Sequence, residues 1–476
     1  MNDKNLKNNI IFYIIKQVSV IVFPMISYPY VARKLGVESL GKIEYAKSIT
    51  QYFVLLSGLG ISDYAIREGA RIRDKKEQFN QFTTQIIAIQ TISAIFSLMT
   101  CILVASSTMF FENKKLIIVF SLMIPFGAMG LNWLFGVFEE YEYIAKRTII
   151  FQLISLILVL FFIRKKEDYF RYAVILLLAN AGPNFMNLSK IRYFFKFNFE
   201  DFKLKKHLKS IFLIFGMTLA SSLYMIMDTS MLGFLDCNRS VGYYSAANKL
   251  VIIIGTLVSA IRTVLFPRLS YVVGNGEKSL FKKINGMTLN IMILFAVPIA
   301  FGVFCLSEEI IVLFCGIEFK SGATTLRILT PEIVLSAANG YLIYQIFMPI
   351  RCEKKAFFCI LMGAITNVLT NYILIPLFHE NGAALATCIS ETMVLTCVLL
   401  LGKKEVNEFV DREDVFIELV KCTFSGLIMF NICMLIRKLI ISDLLKILFI
   451  PLTGFIVYFI CLIILKNKLI FILFKK

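Results

Sequence analysis

The sequence is poor in the residues that most soluble chemistry needs. It has two histidines, His207 and His379, far apart and each read as lying in a loop, so a zinc site or a histidine-based triad is not expected. Charge is scarce as well. Only 17% of residues are charged and 58% are hydrophobic, with a mean hydropathy of +0.77. An ordinary soluble domain has about 25% and 45–50%. That gap excludes a soluble globular enzyme, a disordered chain and a fibrous repeat, and no polar stretch is long enough for a separate water-soluble domain. No Cys-x-x-Cys occurs among the eleven cysteines. Cys101, Cys305, Cys359, Cys388, Cys397, Cys433 and Cys461 lie in apolar runs, where cysteine behaves as a small hydrophobe. The reading therefore assigns no catalytic residue, no metal and no cofactor.

What the sequence does have is long apolar runs. A helix needs about 20 apolar residues to span a bilayer. Runs of that kind predict an all-α polytopic membrane protein with about fourteen transmembrane helices, near 10–32, 43–66, 81–106, 116–138, 148–163, 171–189, 211–235, 243–266, 286–306, 326–349, 357–378, 383–402, 418–440 and 445–465. Lys4 and Lys7 precede the first run, which lacks a small-residue cleavage site and is read as an uncleaved first span. Lys+Arg 50 against Asp+Glu 32 gives +18. In a soluble protein that would point to nucleic acid, but here the charge sits between spans. With both termini in the cytoplasm, the inner segments carry about 30 Lys/Arg and the outer ones about 13, as the positive-inside rule requires. The densest inner loop, 190–210, holds Lys190, Arg192, Lys196, Lys203, Lys205, Lys206 and Lys209; its simplest role is to fix topology against anionic headgroups.

That loop falls near the middle of the chain and suggests two halves. Ser39-Leu40-Gly41 recurs as Ser240-Val241-Gly242, and Tyr45-Ala46 as Ala246-Ala247, each opening a helix after a short outer loop. The expected organisation is a six-helix bundle over 1–200, a second over 201–402, related by a pseudo-twofold axis, and two accessory transmembrane helices with a basic tail over 403–476. Repeats of this kind build transporters. Gly36-Val37-Glu38-Ser39-Leu40-Gly41-Lys42-Ile43 nearly matches a phosphate-binding loop, but it ends in Ile where Ser or Thr must hold magnesium, and no strand precedes it. With no nucleotide site, energy must come from an ion gradient or from the substrate's own gradient.

The informative residues are ionisable groups inside apolar runs, which are costly there and usually face a cavity or a partner. The cations are Lys16 in helix 1, Lys47 in helix 2, and Lys249 and Arg262 in helix 8. In a two-bundle arrangement they would line one cleft and hold an anionic headgroup. Simple neutralisation is the competing role, and Lys47 with Glu44 at i,i+3 is an obvious pair. The acids are Asp63, Asp228, Glu332 and Glu391, candidates for ion coupling or gating; structural pairing competes again, as for Asp63 with Arg67 four residues on. Tyr28, Tyr30, Tyr45, Tyr243 and Tyr244 are read as an outer aromatic belt. Pro24, Pro29 and Pro298 would kink their helices, and a bent first helix is a candidate gate.

Several segments resemble one family in order along the chain. Pro29-Tyr30 through Leu35-Gly36, Glu38, Gly41 and Ala46-Lys47-Ser48 resemble the first hairpin of bacterial polysaccharide flippases. Ala65-Ile66-Arg67-Glu68 with Arg71 and Lys75, then Asn132-Trp133-Leu134-Phe135-Gly136 with Glu139 and Ala145, continue the likeness. Asp228, Met231-Leu232-Gly233, Val241-Gly242-Tyr243-Tyr244, Ala246-Ala247, Leu326-Arg327-Ile328-Leu329, and Asn371, Ile375-Pro376, Gly382-Ala383-Ala384 and Glu391 complete it over about 10–400. The family is the Wzx-type O-antigen and capsule repeat-unit flippases of the MOP superfamily, related to multidrug MATE exporters and lipid II flippases. The resemblance implies a MATE-like fold in the inner membrane. It implies alternating access moving an undecaprenyl-diphosphate-linked oligosaccharide from the cytoplasmic to the periplasmic leaflet for polysaccharide or lipopolysaccharide biosynthesis. Candidate partners are membrane lipids, the polysaccharide polymerase and the chain-length regulator, with no nucleic acid. A MATE-type cation antiporter and a lipid II flippase are the alternatives; Lys16, where drug-exporting relatives often carry an acid, argues against cationic drugs. An O-antigen polymerase would need a large outer loop, and the longest here, near 307–325, is about 20 residues. The sugars, the coupling ion, the oligomeric state and the role of the last two helices are not read from the sequence.

Overall fold

A computed structural model describes residues 3–200 and 202–470; some side chains within the helices, Arg262 among them, fall outside the described set. Among the described residues every regular element is a helix, as the bilayer demands: helices satisfy each backbone group within one segment. The chain packs as two compact units, one ending at Gly233 and the other beginning at Phe234.

The first unit contains α1 (Asp3–Gly58), α2 (Ile61–Ile72), α3 (Lys76–Ala105), α4 (Lys114–Ser121), α5 (Met123–Met129), α6 (Asn132–Val137), α7 (Tyr141–Phe162), α8 (Tyr169–Lys190) and most of α9 (Lys205–Leu235). The first expected span and the second as far as Gly58 are contained in α1, and the loop expected at 33–42 shrinks to a break at Gly36 (φ 75°, ψ 176°). That conformation is open to glycine and strained for any side chain. The second span stops at Gly58 because Leu59 and Gly60 turn left-handed (φ 45° and 68°). The segment beyond forms a separate amphipathic helix, α2, which buries Ile61, Tyr64, Ala65 and Gly69 against α3 and α6. The expected fourth span, 116–138, is broken into α4, α5 and α6, with Pro125 inside α5 and Leu131 at φ 43°. α1 packs on α3, α4 and α7, and α7 on α8.

A core of Phe79, Phe82, Trp133, Leu134 and Ile211 joins α2, α3, α6 and α9. His207 corrects the sequence reading: it is not in a loop but buried in the first turns of α9. Its Nδ1 meets Tyr64 Oη at 2.8 Å and its Nε2 meets Gln85 Oε1 at 2.7 Å. Burial, with Lys206 alongside, holds it below the usual histidine range, so it sits there as a neutral, doubly hydrogen-bonded ring.

The second unit contains α10 (Asn238–Gly274), α11 (Lys278–Cys305), α12 (Ser307–Cys315), α13 (Gly322–Tyr341), a π-helical turn (Leu342–Phe347), α14 (Glu353–Leu401), α15 (Lys403–Phe409), α16 (Arg412–Leu439) and α17 (Asp443–Ile464). α13 packs against α10, α11 and α14, and α16 packs against α11 and α17. The eleventh and twelfth expected spans are joined in α14 at His379 (φ 53°, ψ −130°), whose Nδ1 is 3.1 Å from Asp236 Oδ2. Two buried tyrosine hydroxyls bond backbone: Tyr341 donates to the Asn285 carbonyl (2.7 Å) and Tyr458 to the Leu294 carbonyl (3.0 Å). α16 and α17 are also fastened by charge. Arg437 Nε donates to Glu309 Oε1 of α12 at 2.7 Å, and Lys446 Nζ lies 3.6 Å from the same oxygen.

Among the described residues seven helical stretches are long and apolar enough to cross a membrane. Two of them, of 62 and 49 residues, each have the length for two crossings at 1.5 Å per residue. The protein is thus a multi-pass, all-helical membrane protein. The expected aromatic belt is corrected: Tyr28, Tyr45, Tyr243 and Tyr244 are buried in the protein, and Tyr30 donates to the Ile163 carbonyl at 2.8 Å. The side chain of Tyr45 fills the space over Gly233, where a methyl group would collide with its ring.

Candidate functional site

In the first unit the ionisable residues fall into two groups. One surrounds Arg147, which the sequence reading counted only as a loop charge. α7 begins at Tyr141 rather than near 148, so Arg147 lies within the helix and is 3% exposed. Its guanidinium donates to the Pro183 carbonyl (3.0 Å) and to Asn132 Oδ1 (2.6 Å). Asn132 Nδ2 donates in turn to Asn184 Oδ1 (3.0 Å). Asn187 Nδ2 bonds the Gly130 carbonyl and Asn132 Oδ1. These amides come from α6 and α8 and meet where the backbone breaks between α5 and α6. They hold the broken span and the guanidinium together. Phe135 and Tyr143 are stacked 5.2 Å apart and flank Arg147 at 5.7 and 5.8 Å from their centroids.

Two further cations belong to this group. Lys16 of α1 is half-buried and within electrostatic reach of Arg147. The Tyr13–Tyr141 edge contact (5.9 Å) fixes that approach of α1 to α7. Lys190, at the end of α8, places Nζ 4.0 Å from the Tyr143 ring centroid. Among the described residues none of the three cations has a carboxylate partner. Nearby acids are engaged elsewhere, Glu139 by Arg73 (3.2 Å) and Glu142 by Lys146 (2.6 Å). Burying an unneutralised ion costs several kcal/mol, so such a cluster attracts anions.

The second group is on the later part of α1 and on α9. Lys47 pairs with Glu44 at 3.5 Å, as the i,i+3 spacing suggests. Asp228 is buried on α9, within electrostatic reach of Tyr52, whose hydroxyl is 2.5 Å from Ser230 Oγ. Asp63 is exposed on α2, and the expected partner, Arg67, bonds Glu68 instead at 3.0 Å.

In the second unit, Lys249 is half-buried in α10, and Arg262 of the same helix lies outside the described side chains. Glu332 is half-buried beside Pro331 in the middle of α13. Glu391 is buried, and its Oε2 accepts from Asn339 Nδ2 at 2.5 Å, while the same amide reaches the Glu391 carbonyl at 2.9 Å; this clamps α13 to α14. Among the described residues no cluster of three or more His, Cys, Asp or Glu side chains could hold a metal.

Comparison with known proteins gives the same frame. Relatives include an Escherichia coli (strain K12) protein named for O-antigen transport, 23% identical, covering 84% of this chain and 97% of its own. A Haloferax volcanii protein, named a probable flippase of low-salt glycan biosynthesis, is 25% identical over 47% of each chain. Among solved structures, the lipid II flippase MurJ in an inward closed conformation superposes with a TM-score of 0.79 at 17% identity, over 97% of this chain and 100% of that one. An inward-facing multidrug resistance MATE family transporter gives 0.63 at 14% identity, over 83% and 98%. A family model described as "Polysaccharide biosynthesis protein" matches residues 6–273, more than half of the chain. The chain therefore belongs to the polysaccharide biosynthesis protein family, and the likeness to Wzx-type flippases of the MOP superfamily read from its sequence is borne out.

Proposed function

We propose that the protein is a lipid-linked glycan flippase and not an enzyme. It turns an undecaprenyl-diphosphate-linked oligosaccharide repeat unit, of an O-antigen or capsule, from the cytoplasmic to the periplasmic leaflet of the inner membrane by alternating access. The observation that carries this reading is a half-buried lysine inside a membrane helix, Lys16, with no carboxylate partner among the described residues. A permanently unpaired charge there is costly, and a transient anionic ligand would remove the cost. The family match and the relatives named for O-antigen transport and glycan flipping support a lipid-linked glycan as that ligand.

In this account Lys16, Lys249 and Arg262 meet the diphosphate, the sugars cross in a polar environment, and the polyprenyl chain stays in lipid. Lys47 contributes less because Glu44 already neutralises it. Lysine and arginine suit a reversible phosphate contact: they add charge-assisted hydrogen bonds and no covalent step. Asp228 and Glu332 are candidates for ion coupling, and both termini face the cytoplasm.

The test is deletion of the gene in its host, with analysis of lipid-linked intermediates. Loss should leave repeat units on the lipid carrier at the cytoplasmic face and abolish the surface polymer. Unchanged surface polymer would refute the reading, and drug sensitivity without a polymer defect would favour the cation-antiporter alternative.

A further inference from the structure

Two cations beside Tyr143, Arg147 and Lys190, go beyond the residues assigned above. Arg147 is almost wholly buried, its Nε has no hydrogen-bond partner, and its other contacts are neutral carbonyl and amide oxygens. Lys16 of α1 lies within its electrostatic reach, and Lys190 of α8 caps the Tyr143 ring that Arg147 flanks. A structural arginine in an apolar setting would normally be paired with an acid, and acids stand close by on the same stretch of chain. Instead Glu139 and Glu142 bond other cations, and asparagines occupy the positions around the guanidinium. Positive charge is thus fixed in place and left uncancelled.

Apart from these cations, α3, α5 and α8 frame an apolar cavity of about 320 Å³ that none of the three lines. Its lining is apolar and includes Leu98, Pro125, Met129, Leu131, Leu188 and Ile191. Fixed, uncancelled cations match a ligand whose head is a phosphate.

We infer that Lys16, Arg147 and Lys190 form a loading subsite in the first unit that captures the phosphate end of a lipid from the cytoplasmic leaflet. Lys16 and Lys190 supply ammonium groups that reach the phosphate, and Arg147 supplies a fixed charge behind them. Arg147 is a positioning residue, held by the amides of Asn132, Asn184 and Asn187. The inference rests on the flippase reading and adds to it a site of entry and two residues, Arg147 and Lys190.

The decisive variant is Asn132→Asp. It places a carboxylate where an amide oxygen already lies 2.6 Å from the guanidinium, so Arg147 gains a salt partner and keeps its position. If Arg147 only braces the fold, affinity is unchanged, whatever the lost Asn132 Nδ2–Asn184 Oδ1 bond does to stability. If its uncancelled charge recruits phosphate, affinity falls. Trp133, the only tryptophan, adjoins Asn132 and reports on the site by its fluorescence. The full-length protein in nanodiscs of zwitterionic lipid is titrated with undecaprenyl diphosphate, undecaprenol, phosphatidylglycerol and inorganic pyrophosphate.

The wild type should show a saturable change with undecaprenyl diphosphate and none with undecaprenol. Asn132→Asp, Lys16→Gln and Lys190→Gln should each weaken it by about tenfold. Competition by pyrophosphate would support recognition of the head alone. Equal affinity in the wild type and all three variants overturns the subsite while leaving the flippase reading intact. Equal response to phosphatidylglycerol overturns it as a substrate site, leaving a general contact with anionic lipid. Failure of the wild type to bind undecaprenyl diphosphate at all defeats the flippase reading with it. Lys190 is exposed, so Lys190→Gln tests the subsite even where a buried variant fails to fold.

Discussion

Replacing Arg437 by alanine should loosen the second unit measurably. Glu309 is 4% exposed, and its carboxylate has two cations in reach, Arg437 at 2.7 Å and Lys446 at 3.6 Å. Arg437 also lies 3.6 Å from Glu308. Removing one partner of a buried ion pair costs about 3–5 kcal/mol because the other charge stays buried. Lys446 remains, which sets the expectation near the lower end, about 3 kcal/mol. For a unit of this size each kcal/mol moves Tm by about 2–4 °C, so the shift should be about 6–12 °C. The assay is thermal unfolding of the purified protein in detergent for the wild type, Arg437→Ala, Glu309→Gln and the double variant. The double variant should recover most of the loss, since it removes the stranded charge along with its partner. A shift under about 2 °C in Arg437→Ala, or strictly additive losses in the cycle, would refute the claim that this pair fastens α16 to α12.

Three smaller predictions follow from other contacts. Gly36→Ala should lower stability by about 1–3 kcal/mol, since it forces a side chain into φ 75°, ψ 176°; an unchanged Tm would contradict the tight break in α1. Asp168 Oδ2 accepts from the backbone amides of Arg164 (3.0 Å) and Lys165 (3.1 Å), and Oδ1 from Arg171 (2.8 Å), which together hold its carboxyl below the usual aspartate range. Its folded value lies below its unfolded one, so its stabilisation is complete above the ordinary aspartate pKa of about 4 and is lost as pH falls through the folded value. Melting curves from pH 3 to 7 should show that acid dependence in the wild type and a shallower one in Asp168→Asn. Lys47→Ala should reduce surface polymer far less than Lys16→Ala, because Glu44 at 3.5 Å already neutralises Lys47; equal defects would contradict the ranking.

The helical class and the Lys47–Glu44 pair were legible because each follows from local spacing. Apolar run length marks spans, and i,i+3 spacing brings side chains together on one helix face. The breaks were partly legible: Gly58-Leu59-Gly60 and Pro125 are breakers within apolar runs, but hydropathy averaged over a span hides them. Extending the second span through Gly60 therefore placed Asp63 in a membrane helix, when it is exposed on α2. The polar knot was not legible at all. Asn132, Arg147, Asn184 and Asn187 are separated by up to 55 residues and meet only through the packing of α6, α7 and α8. The remaining clue was polar side chains in otherwise apolar segments, and a start of α7 seven residues earlier turned a loop arginine into a buried one. The tyrosines misled for a related reason: an aromatic ring near a helix end fits the membrane interface and a helix seam equally well, and only packing decides.

The most direct test of the central claim, that cations in membrane helices hold an anionic lipid head as it crosses, is the leaflet distribution of the lipid-linked repeat unit in cells carrying Lys16→Ala, Lys249→Ala or both. At unchanged protein level, the account predicts repeat units held at the cytoplasmic face and reduced surface polymer, with the double variant most affected. Wild-type distribution and full polymer in the double variant would contradict it.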